Sequence, residues 1–294
     1  MGNGKSGKKP KRHVGQYVAS GDWSDYWSTS ISRAEQGNIR VRGYRIEELI
    51  ERLSYTESAW LLLRGELADE RETALFDLVL RSGMDQQFIN SAACAARYTA
   101  SATPDSPVPA LASGMLASGS VTGSPQEPAE MLIEGVALEL EPAAAAAQLI
   151  DTWIERRGAV PGLGHPVHKQ GEPRVLALRR LAGELGGWNE HGQLLDAVEE
   201  EMAGRKGRLI PINLAGALGA VLSDLGFDPL MTGGLGALSY GMALLAHVVE
   251  EIRDGVPLRI ITPELGASYT GPADRELPGG AAPTGRGKGG GRNK

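Results

Sequence analysis

The sequence predicts an all-α protein, and three observations support that fold class. Most segments between the glycine, proline and alanine clusters place apolar residues at helical spacing. Strand signals are scarce, since only NIRVRGY at residues 38–44 alternates, which suggests a small hairpin or edge strand. Strand and helix patterns do not alternate along the chain, which argues against a doubly wound parallel sheet.

The stretch RIEELIERLSYTESAWLLLRGEL, residues 45–67, predicts two successive helices. Apolar stripes at helical spacing fall in its first and second halves, at Ile46, Leu49, Ile50 and Leu53, then at Ala59, Leu62 and Leu63. Gly65 is a plausible end for the second helix, because glycine readily adopts the left-handed conformation that closes helices.

The middle of the chain repeats this arrangement. In residues 141–158 we expect a helix with Pro142 in its first turn, a run of alanines, and Gly158 at its end. Residues 171–187 and 191–204 follow the same pattern. Two later stretches, residues 213–227 and 235–255, are apolar nearly all round, which predicts buried central helices.

Length and composition limit the classes of protein to which this chain can belong. A chain of 294 residues is long enough for one large domain, or for a large and a smaller one. No uninterrupted apolar run reaches the roughly 18–20 residues of a membrane span, and the N-terminus lacks the apolar stretch of a signal peptide. Cys94 is the single cysteine, which excludes an internal disulfide. We therefore expect a cytoplasmic protein without a membrane partner.

The charge is unevenly distributed. Residues 1–12 carry five basic side chains and residues 284–294 carry four, with no acids in either stretch. The remaining residues, 13–283, hold 21 basic and 36 acidic side chains, a net charge of −15. Such an acidic body repels phosphates, so we expect no nucleic-acid partner. The Gly/Pro-rich tails have little apolar surface, which predicts disorder at residues 1–20 and 268–294.

Three separated motifs carry a specific resemblance. Residues 37–67 resemble the N-terminal signature of the citrate synthase family. GHPVHKQGEPR, residues 164–174, resembles the family's glycine–histidine turn followed by an acid–proline–arginine, with His165 and Arg174 at the matching spacing. LLAHVVEEIRDG, residues 244–255, resembles its late alanine–histidine helix. Together with TSISRAEQGNIRVRGY and the short chain, these motifs look closest to citryl-CoA lyase and the lyase module of ATP-citrate lyase.

The resemblance implies a citrate-synthase-like helical dimer with a large and a small domain. By this likeness the large domain takes residues 21–160 and 236–267, and the small domain takes approximately residues 161–235. The family makes or breaks a carbon–carbon bond between an acyl-CoA and a keto or hydroxy acid. A carboxylate takes the proton, one histidine holds the enol, a second polarises the carbonyl, and arginines bind carboxylates. The resemblance implies no metal and no permanent cofactor, with the coenzyme A thioester as substrate.

The turn around His165 matches this pattern best. His165 lies where the family has its carbonyl-polarising histidine, and Arg174 lies where a carboxylate-binding arginine belongs. His168 and Lys169 form a basic stretch that suggests contact with coenzyme A phosphates. For both residues a turn with solvated basic side chains is the simpler interpretation. The paired histidines lack a third ligand cluster or a cysteine nearby, which disfavours zinc.

Five other positions depart from the family. Gln86 replaces a substrate-binding histidine, Thr122 replaces the enol-holding histidine, and Ala215 stands where the carboxylate base belongs. Tyr240 and Thr262 replace two arginines, the second of which the family supplies across its dimer. Alanine cannot accept a proton, and each lost arginine weakens the binding of a buried carboxylate. We expect Gln86, Thr122 and Tyr240 to offer hydrogen bonds to a less charged substrate.

Two functions remain open from the sequence. The first is a citrate-synthase-like or citryl-CoA-lyase-like enzyme, an acyl-CoA lyase or acyltransferase with an altered second substrate. It requires a substitute base, for which Glu127 and Glu130 follow the Thr122 turn, whereas Asp224 lies too far along its helix. The alternative is a catalytically degenerate subunit that pairs with an active paralogue and regulates it. A coenzyme A ester-binding protein without a partner is a weaker third interpretation.

Overall fold

The computed structural model describes residues 14–24, 26–119 and 122–276. This part of the chain is mostly helical, with one small sheet, as the sequence predicted. The helices are α1 (Val14–Ser20), α2 (Ile46–Arg52), α3 (Tyr55–Arg64), α4 (Glu70–Ser82), α5 (Ser91–Ala102), α6 (Pro107–Leu116), α7 (Gln126–Val136), α8 (Pro142–Arg157), α9 (Pro173–Glu184), α10 (Glu190–Lys206), α11 (Leu214–Asp224), α12 (Pro229–Ser239) and α13 (Gly241–Asp254). The strands are β1 (Ser32–Glu35), β2 (Asn38–Val41) and β3 (Tyr44–Arg45).

The predicted hairpin is present as an antiparallel sheet in the order β1-β2-β3. Ser32 pairs with Val41 and Glu35 with Asn38, so a two-residue turn joins the first two strands. Strand β3 runs directly into α2. The sheet therefore leads the chain into the helical body.

The predicted helix ends at Gly65 and Gly158 are confirmed, whereas α10 continues through Gly204 to Lys206. The Ser54 hydroxyl accepts a hydrogen bond from Glu57 N, and the Glu57 carboxylate accepts one from Ser54 N, so a capping box opens α3. Helix α3 ends at Gly65 in the left-handed conformation, and α8 begins at Pro142 and ends at Gly158 in the same conformation.

Two clusters of buried apolar residues support the fold. The larger contains Trp60, Phe76 and Phe227, whose rings lie 5.3–5.7 Å apart, and draws on α3, α4 and α7–α12. The smaller joins α5, α6 and α13 around Leu244 and Val248. The division into a large and a small domain stays a prediction.

Of the two helices predicted to be buried and central, only α11 is. Every residue of it from 215 to 223 is buried, and it packs against α4, α7, α9, α10 and α12. The second stretch breaks at Tyr240 into α12 and α13, with Leu238 and Met242 59% and 78% exposed. The prediction was therefore wrong for these helices within one copy of the chain.

The segment Pro229–Asp254 is the one stretch of the described chain whose length and mean hydropathy, 1.3, reach those of a membrane span. A core helix of a soluble protein meets the same criteria, and α12 and α13 pack against α4, α5, α6, α7 and α11. The expectation of no membrane partner stays a prediction.

The described residues include part of both predicted tails. Residues 14–20, predicted to be disordered, form α1, in which the Tyr17 ring stacks on Trp23 at 5.7 Å. The basic composition of the tail gave no sign of these aromatic contacts. Residues 1–13 and 277–294 lie outside the described part, so the prediction for them is untested.

Candidate active site

The loop that carries His165 is held against the start of α11 by backbone hydrogen bonds. Gly164 N donates to Pro211 O at 2.7 Å, and Asn213 N donates to Gly162 O at 2.9 Å. The side-chain amide of Asn213 also donates to Gly164 O at 3.0 Å. These bonds fix the position of the His165 backbone relative to α11.

Two glycines permit this close approach. Gly162 has a φ of 87°, a conformation that residues with a side chain rarely adopt. A Cβ on Gly162 would lie only 2.9 Å from Gly216 Cα in α11. The loop backbone therefore touches the helix backbone directly, one residue beyond Ala215.

The hydrogen bonds of His165 determine its tautomer. Nδ1 accepts from Val167 N at 3.1 Å and from His168 N at 3.0 Å, so it carries no proton. In the neutral ring the proton is therefore on Nε2, which lies 2.5 Å from the amide of Gln86. Because two N–H groups cannot face each other, the Gln86 amide presents its oxygen and not its nitrogen to Nε2–H.

The environment keeps His165 neutral. Burial lowers the pKa of His165 below its ordinary value, and the nearby charges of His168, Arg174 and Lys169 lower it further. The negative charge of Glu172 raises the pKa of His165, but it does not outweigh the effects that lower it. His165 thus provides a fixed Nε2–H donor at neutral pH, a group suited to polarising a carbonyl oxygen.

Glu172 and Arg174 form a buried ion pair beside His165. The Glu172 side chain is 2% exposed, and its Oε1 accepts from both Nε and Nη2 of Arg174. Its other oxygen, Oε2, is buried without a hydrogen-bond partner, 4.0 Å from His165 Nε2. Arg174 is therefore neutralised by its own neighbour, and one carboxylate oxygen remains unpaired.

Gln86 belongs to the turn between α4 and α5, which is held from two sides. Arg174 Nη1 donates to Asp85 O at 3.3 Å, and the Asp85 carboxylate contacts His247 Nε2 at 3.1 Å. Burial raises the pKa of Asp85, but hydrogen bonds from His247 and from Gln87 N outweigh it and lower the pKa. Gln87 itself has a φ of 55°, a strained value for a residue other than glycine.

A buried charge network supports His247. Arg97 Nη1 lies 3.4 Å from His247 Nδ1, and Arg97 Nε lies 2.6 Å from Glu251 Oε2. Glu251, with no exposed side-chain surface, also pairs with Arg259 at 2.6 Å. Hydrogen bonds from Arg259 and then Arg97 lower the pKa of Glu251 despite its burial. The late histidine motif thus serves to position the turn that carries Gln86.

The opposite side of the site is less polar. The Thr122 hydroxyl accepts from Gly119 N at 2.6 Å and donates within the same turn. The Tyr240 hydroxyl shares a hydrogen bond with Ser118 at 2.6 Å. Ala215 is buried beside them in α11 and offers only a methyl group. These residues close the site, but their polar groups already have partners.

A single cavity of about 470 Å³ collects these groups. It is lined by the predicted site residues His165, Arg174, Gln86, Thr122 and Tyr240, as well as by Ala215 and Glu172. Glu172 is the only acidic side chain among the described residues that line it, and Arg174 is the only lysine or arginine. Because these two form an ion pair, the cavity has little free charge.

The other predicted positions lie outside this cavity. The His168 ring contacts the His165 ring at 4.6 Å, and Lys169 is exposed, with Nζ donating to His165 O at 2.7 Å. Thr262 does not line the cavity and instead precedes a short 3₁₀ turn. The assignment of His168 and Lys169 to coenzyme A binding stays a prediction.

None of the three acids considered as a substitute base lines the cavity. Glu127 lies 3.4 Å from Arg157, and Glu130 accepts a hydrogen bond from Gln126 at 3.0 Å. Asp224 is 3% exposed and accepts hydrogen bonds at the start of α10, from Asn189 N at 2.7 Å. The expectation that Asp224 is too distant is consistent with this capping role.

Sequence reasoning missed Glu172 and Asn213. Glu172 is the acid of the acid–proline–arginine motif, which marked Arg174 as the functional residue and left the acid unconsidered. Asn213 opens α11 by accepting from Gly216 N at 3.0 Å while its amide holds the His165 loop. An asparagine before an apolar helical run indicates a helix cap, but not the loop on its other side.

Metal ligands do not gather in the described part of the chain. No three histidine, cysteine, aspartate or glutamate side chains there lie close enough to share an ion. The arrangement offers a neutral imidazole N–H, a buried carboxylate and several backbone groups around one cavity. Such groups can hold a carbonyl oxygen and accept a proton.

The family comparison matches most of the chain. The family model described as "Citrate synthase, C-terminal domain" matches residues 24–84 and 68–264. These overlapping segments contain all three motifs and every residue predicted for the site.

Curated relatives are citrate synthases at low identity. The chain is 26% identical over 250 residues to citrate synthase of Deinococcus radiodurans, which covers 84% of this chain and 62% of that protein. It is 25% identical over 247 residues to citrate synthase 2 of Bacillus subtilis, with 83% and 61% covered. The chain thus spans about three fifths of the length of these two relatives.

Solved structures show a related fold over nearly the whole chain. Citryl-CoA lyase from Hydrogenobacter thermophilus superposes with a TM-score of 0.78 and 31% identity, covering 86% of this chain and 97% of that one. ATP citrate lyase of Methanosaeta concilii in complex with (3S)-citryl-CoA gives 0.73 and 22%, covering 92% and 47%. Citrate synthase of Thermoplasma acidophilum, with carboxymethyl coenzyme A and oxaloacetate, gives 0.63 and 23%, covering 76% and 58%.

Proposed function

This chain belongs to the citrate synthase family, and from that premise we propose that it makes or breaks a carbon–carbon bond next to a coenzyme A thioester. The observation that carries the proposal is the Nε2–H of a neutral His165 in the wall of a cavity of about 470 Å³. A fixed N–H in a water-poor cavity stabilises a carbonyl or enolate oxygen. Coenzyme A is a reactant here, and no permanent cofactor is required.

We propose that the second substrate carries fewer carboxylates than oxaloacetate or citrate. The one arginine among the described cavity residues is paired with Glu172, and Tyr240 replaces a second. Without a free cation, the desolvation of two or three carboxylates in this cavity is poorly compensated. A carbonyl or hydroxy compound with at most one carboxylate suits a cavity in which Gln86, Thr122 and Tyr240 carry no charge.

The coenzyme A part of the substrate would extend out of the cavity, past the exposed face of the His165 loop. His168 and Lys169 lie on this face, and a lysine there suits a phosphate. We therefore keep both residues as the proposed coenzyme A contacts. The polar part of coenzyme A can remain in solvent while its acyl end enters the cavity.

We also propose a dimeric, cytoplasmic protein. Large apolar side chains are exposed on α6, α12 and α13, and α13 contacts each of the other two helices. Among them are Leu116 at 87%, Leu230 at 76% and Met242 at 78% exposed. A second copy, or a paralogue of the same fold, would cover this apolar surface.

One observation favours the alternative of a degenerate subunit. Ala215 lies at the position of the family's carboxylate base, and the Thr122 hydroxyl is engaged within its own turn. In this alternative the chain binds a coenzyme A ester, pairs with an active paralogue and alters its activity without performing proton abstraction itself.

The test separates the two functions. The purified chain is incubated with acetyl-CoA or propionyl-CoA in deuterated buffer, while binding is followed by thermal shift and α-proton exchange by NMR. Binding with exchange supports the enzyme. Binding without exchange, together with altered turnover of an added citrate-synthase-like paralogue, supports the subunit. Absence of binding to every coenzyme A ester would contradict both.

A further inference from the structure

The lost base leaves a chemical requirement that His165 cannot meet. Its Nδ1 lone pair accepts two backbone hydrogen bonds, and in the neutral ring Nε2 carries the proton. The imidazole can therefore donate a hydrogen bond but cannot accept a proton from carbon. Proton abstraction requires another group in the same cavity.

Glu172 is the one carboxylate among the described residues that line the cavity. Its Oε1 is used by Arg174, while Oε2 has no hydrogen-bond partner although the side chain is only 2% exposed. A buried, unpaired carboxylate oxygen is costly, so native proteins rarely keep one without a use. Its position 4.0 Å from His165 Nε2 puts an acceptor and a donor side by side.

We propose that Glu172 is the catalytic base of this chain, in place of the carboxylate missing at Ala215. This inference rests on the proposed function. In the step, the α-carbon–hydrogen bond of the acyl-CoA breaks and its proton forms an O–H bond with Glu172 Oε2. The electron pair moves to the thioester oxygen, and the resulting enolate accepts a hydrogen bond from His165 Nε2–H. His165 then takes over the role of the enol-holding histidine that Thr122 replaces.

The reverse direction uses the same two groups. For a 3-hydroxyacyl-CoA, Glu172 takes the hydroxyl proton, the carbon–carbon bond breaks, and a carbonyl compound leaves. The enolate then takes that proton back at its α-carbon, so atoms and electrons balance without an oxidant or reductant. The Arg174 pair orients the carboxylate through Oε1 and leaves Oε2 free for the proton.

The geometry also assigns a gating role to Gln86 within this step. The Gln86 amide lies 2.5 Å from His165 Nε2, where the thioester oxygen must bind. A substrate that takes the Nε2 hydrogen bond therefore displaces the Gln86 amide. The turn that carries Gln86 includes Gln87, whose φ of 55° is a strained conformation.

The test compares Glu172→Gln with the wild-type chain in the exchange of acetyl-CoA α-protons for deuterium. The amide of the variant would keep an acceptor for Arg174 but not the charge of a base, so we expect exchange to fall by roughly 100-fold or more. The matched control is Glu184→Gln on the same helix, whose exposed carboxylate pairs with Arg180. It is expected to exchange at the wild-type rate.

Two further measurements keep a folding defect apart from a lost base. Thermal shift with coenzyme A reports whether Glu172→Gln still folds and binds. In Glu172→Ala, added formate is expected to raise exchange by roughly ten-fold, because a small carboxylate replaces part of what a positioned general base supplies. A merely structural role would not respond to formate.

The outcomes are distinguishable. Equal exchange by Glu172→Gln and wild type would overturn Glu172 as the base while leaving the proposed function in place. Binding of acetyl-CoA by the wild type without any exchange would overturn both the base and the enzyme, and leave the degenerate subunit. A fall in exchange with retained binding and formate rescue would support Glu172.

Discussion

The two walls of the cavity differ in how their polar groups are used. The wall built from residues 161–174 keeps a histidine donor and an unpaired carboxylate oxygen, on a loop held by backbone contacts with α11. The facing wall of Thr122, Ala215 and Tyr240 has a methyl group and two hydroxyls that are already hydrogen-bonded. The groups suited to the proposed chemistry therefore lie on the loop, whereas the facing wall offers shape and no free polar group.

The largest expected effect comes from the loop wall. Replacing His165 by alanine removes the Nε2–H donor that we propose for the thioester oxygen, and one such donor contributes roughly 100- to 1,000-fold in rate. We expect exchange to fall by that factor while the chain still folds with a lower melting temperature. Backbone bonds hold the loop to the start of α11, but Val167 N and His168 N lose their acceptor. Exchange and melting temperature are measured on the same preparation.

Gln170→Ala is the matched control for this change, since Gln170 is exposed in the same loop and does not line the cavity. It should retain the wild-type rate. Unchanged exchange in His165→Ala would mean that the loop wall is not the reactive one.

The second effect concerns the contact between the loop and α11. Gly216→Ala places a methyl group against the Gly162 backbone, which must move. Overpacking of this kind costs about 1–3 kcal/mol, and we expect that loss in the free energy of unfolding measured with urea. Exchange should fall as well, because His165 shifts with the loop.

Gly204→Ala is the comparison, because a Cβ at Gly204 in α10 meets nothing within 4 Å. It should stabilise the chain by roughly 0.5–1 kcal/mol through helix propensity. Equal effects of the two variants would show that the loop is not packed directly on the helix.

The third effect is a pH dependence of the free energy of unfolding that arises from His165 on the loop wall. The pKa of His165 is lowered in the fold, mainly by burial, so the unfolded chain binds a proton at higher pH than the folded chain does. The free energy of unfolding must therefore decrease as pH falls through the ordinary value of about 6.5 towards the lowered one. Urea titrations of wild type and His165→Gln across this range measure the difference.

The His165→Gln variant lacks the titrating group, so its stability should decline less over the same pH interval. Exchange by the wild-type chain should also decrease as pH falls, because protonation replaces the neutral, buried imidazole of His165 by a charged imidazolium. Parallel decline of the two proteins would contradict the assignment of His165 as a neutral donor.

The smallest effect concerns Gln87, in the turn between α4 and α5 that also carries Gln86. Gln87 has a φ of 55°, which costs a residue with a side chain about 1 kcal/mol relative to glycine. Gln87→Gly should raise the free energy of unfolding by about that amount. Gln170→Gly, at a position without a positive φ, should not stabilise the chain. The measurement is again urea unfolding.

Much of the fold follows from local sequence signals. Helical spacing, the glycine ends at Gly65 and Gly158, and Pro142 in a first turn were sufficient to predict helices, because each acts over a few residues. The break at Tyr240 was not predictable in this way. Tyr240 contacts Ser118, which is distant in sequence, and local patterns do not record such a contact.

The site was predictable only in part, for the same reason. Motif spacing indicated His165 and Arg174, and the structure brings both into one cavity with Gln86, Thr122 and Tyr240. The pairing of Arg174 with Glu172 was missed, because the motif marks both residues without saying that one neutralises the other. Whether a charged side chain is free depends on burial and geometry, which the sequence does not record.

A structure of the chain with a non-reactive acetyl-CoA analogue tests the central claim most directly. We predict the thioester carbonyl oxygen within hydrogen-bonding distance of His165 Nε2, the Gln86 amide displaced, and the α-carbon facing Glu172 Oε2. An acyl group bound elsewhere on the surface, with Gln86 still against His165, would contradict the account.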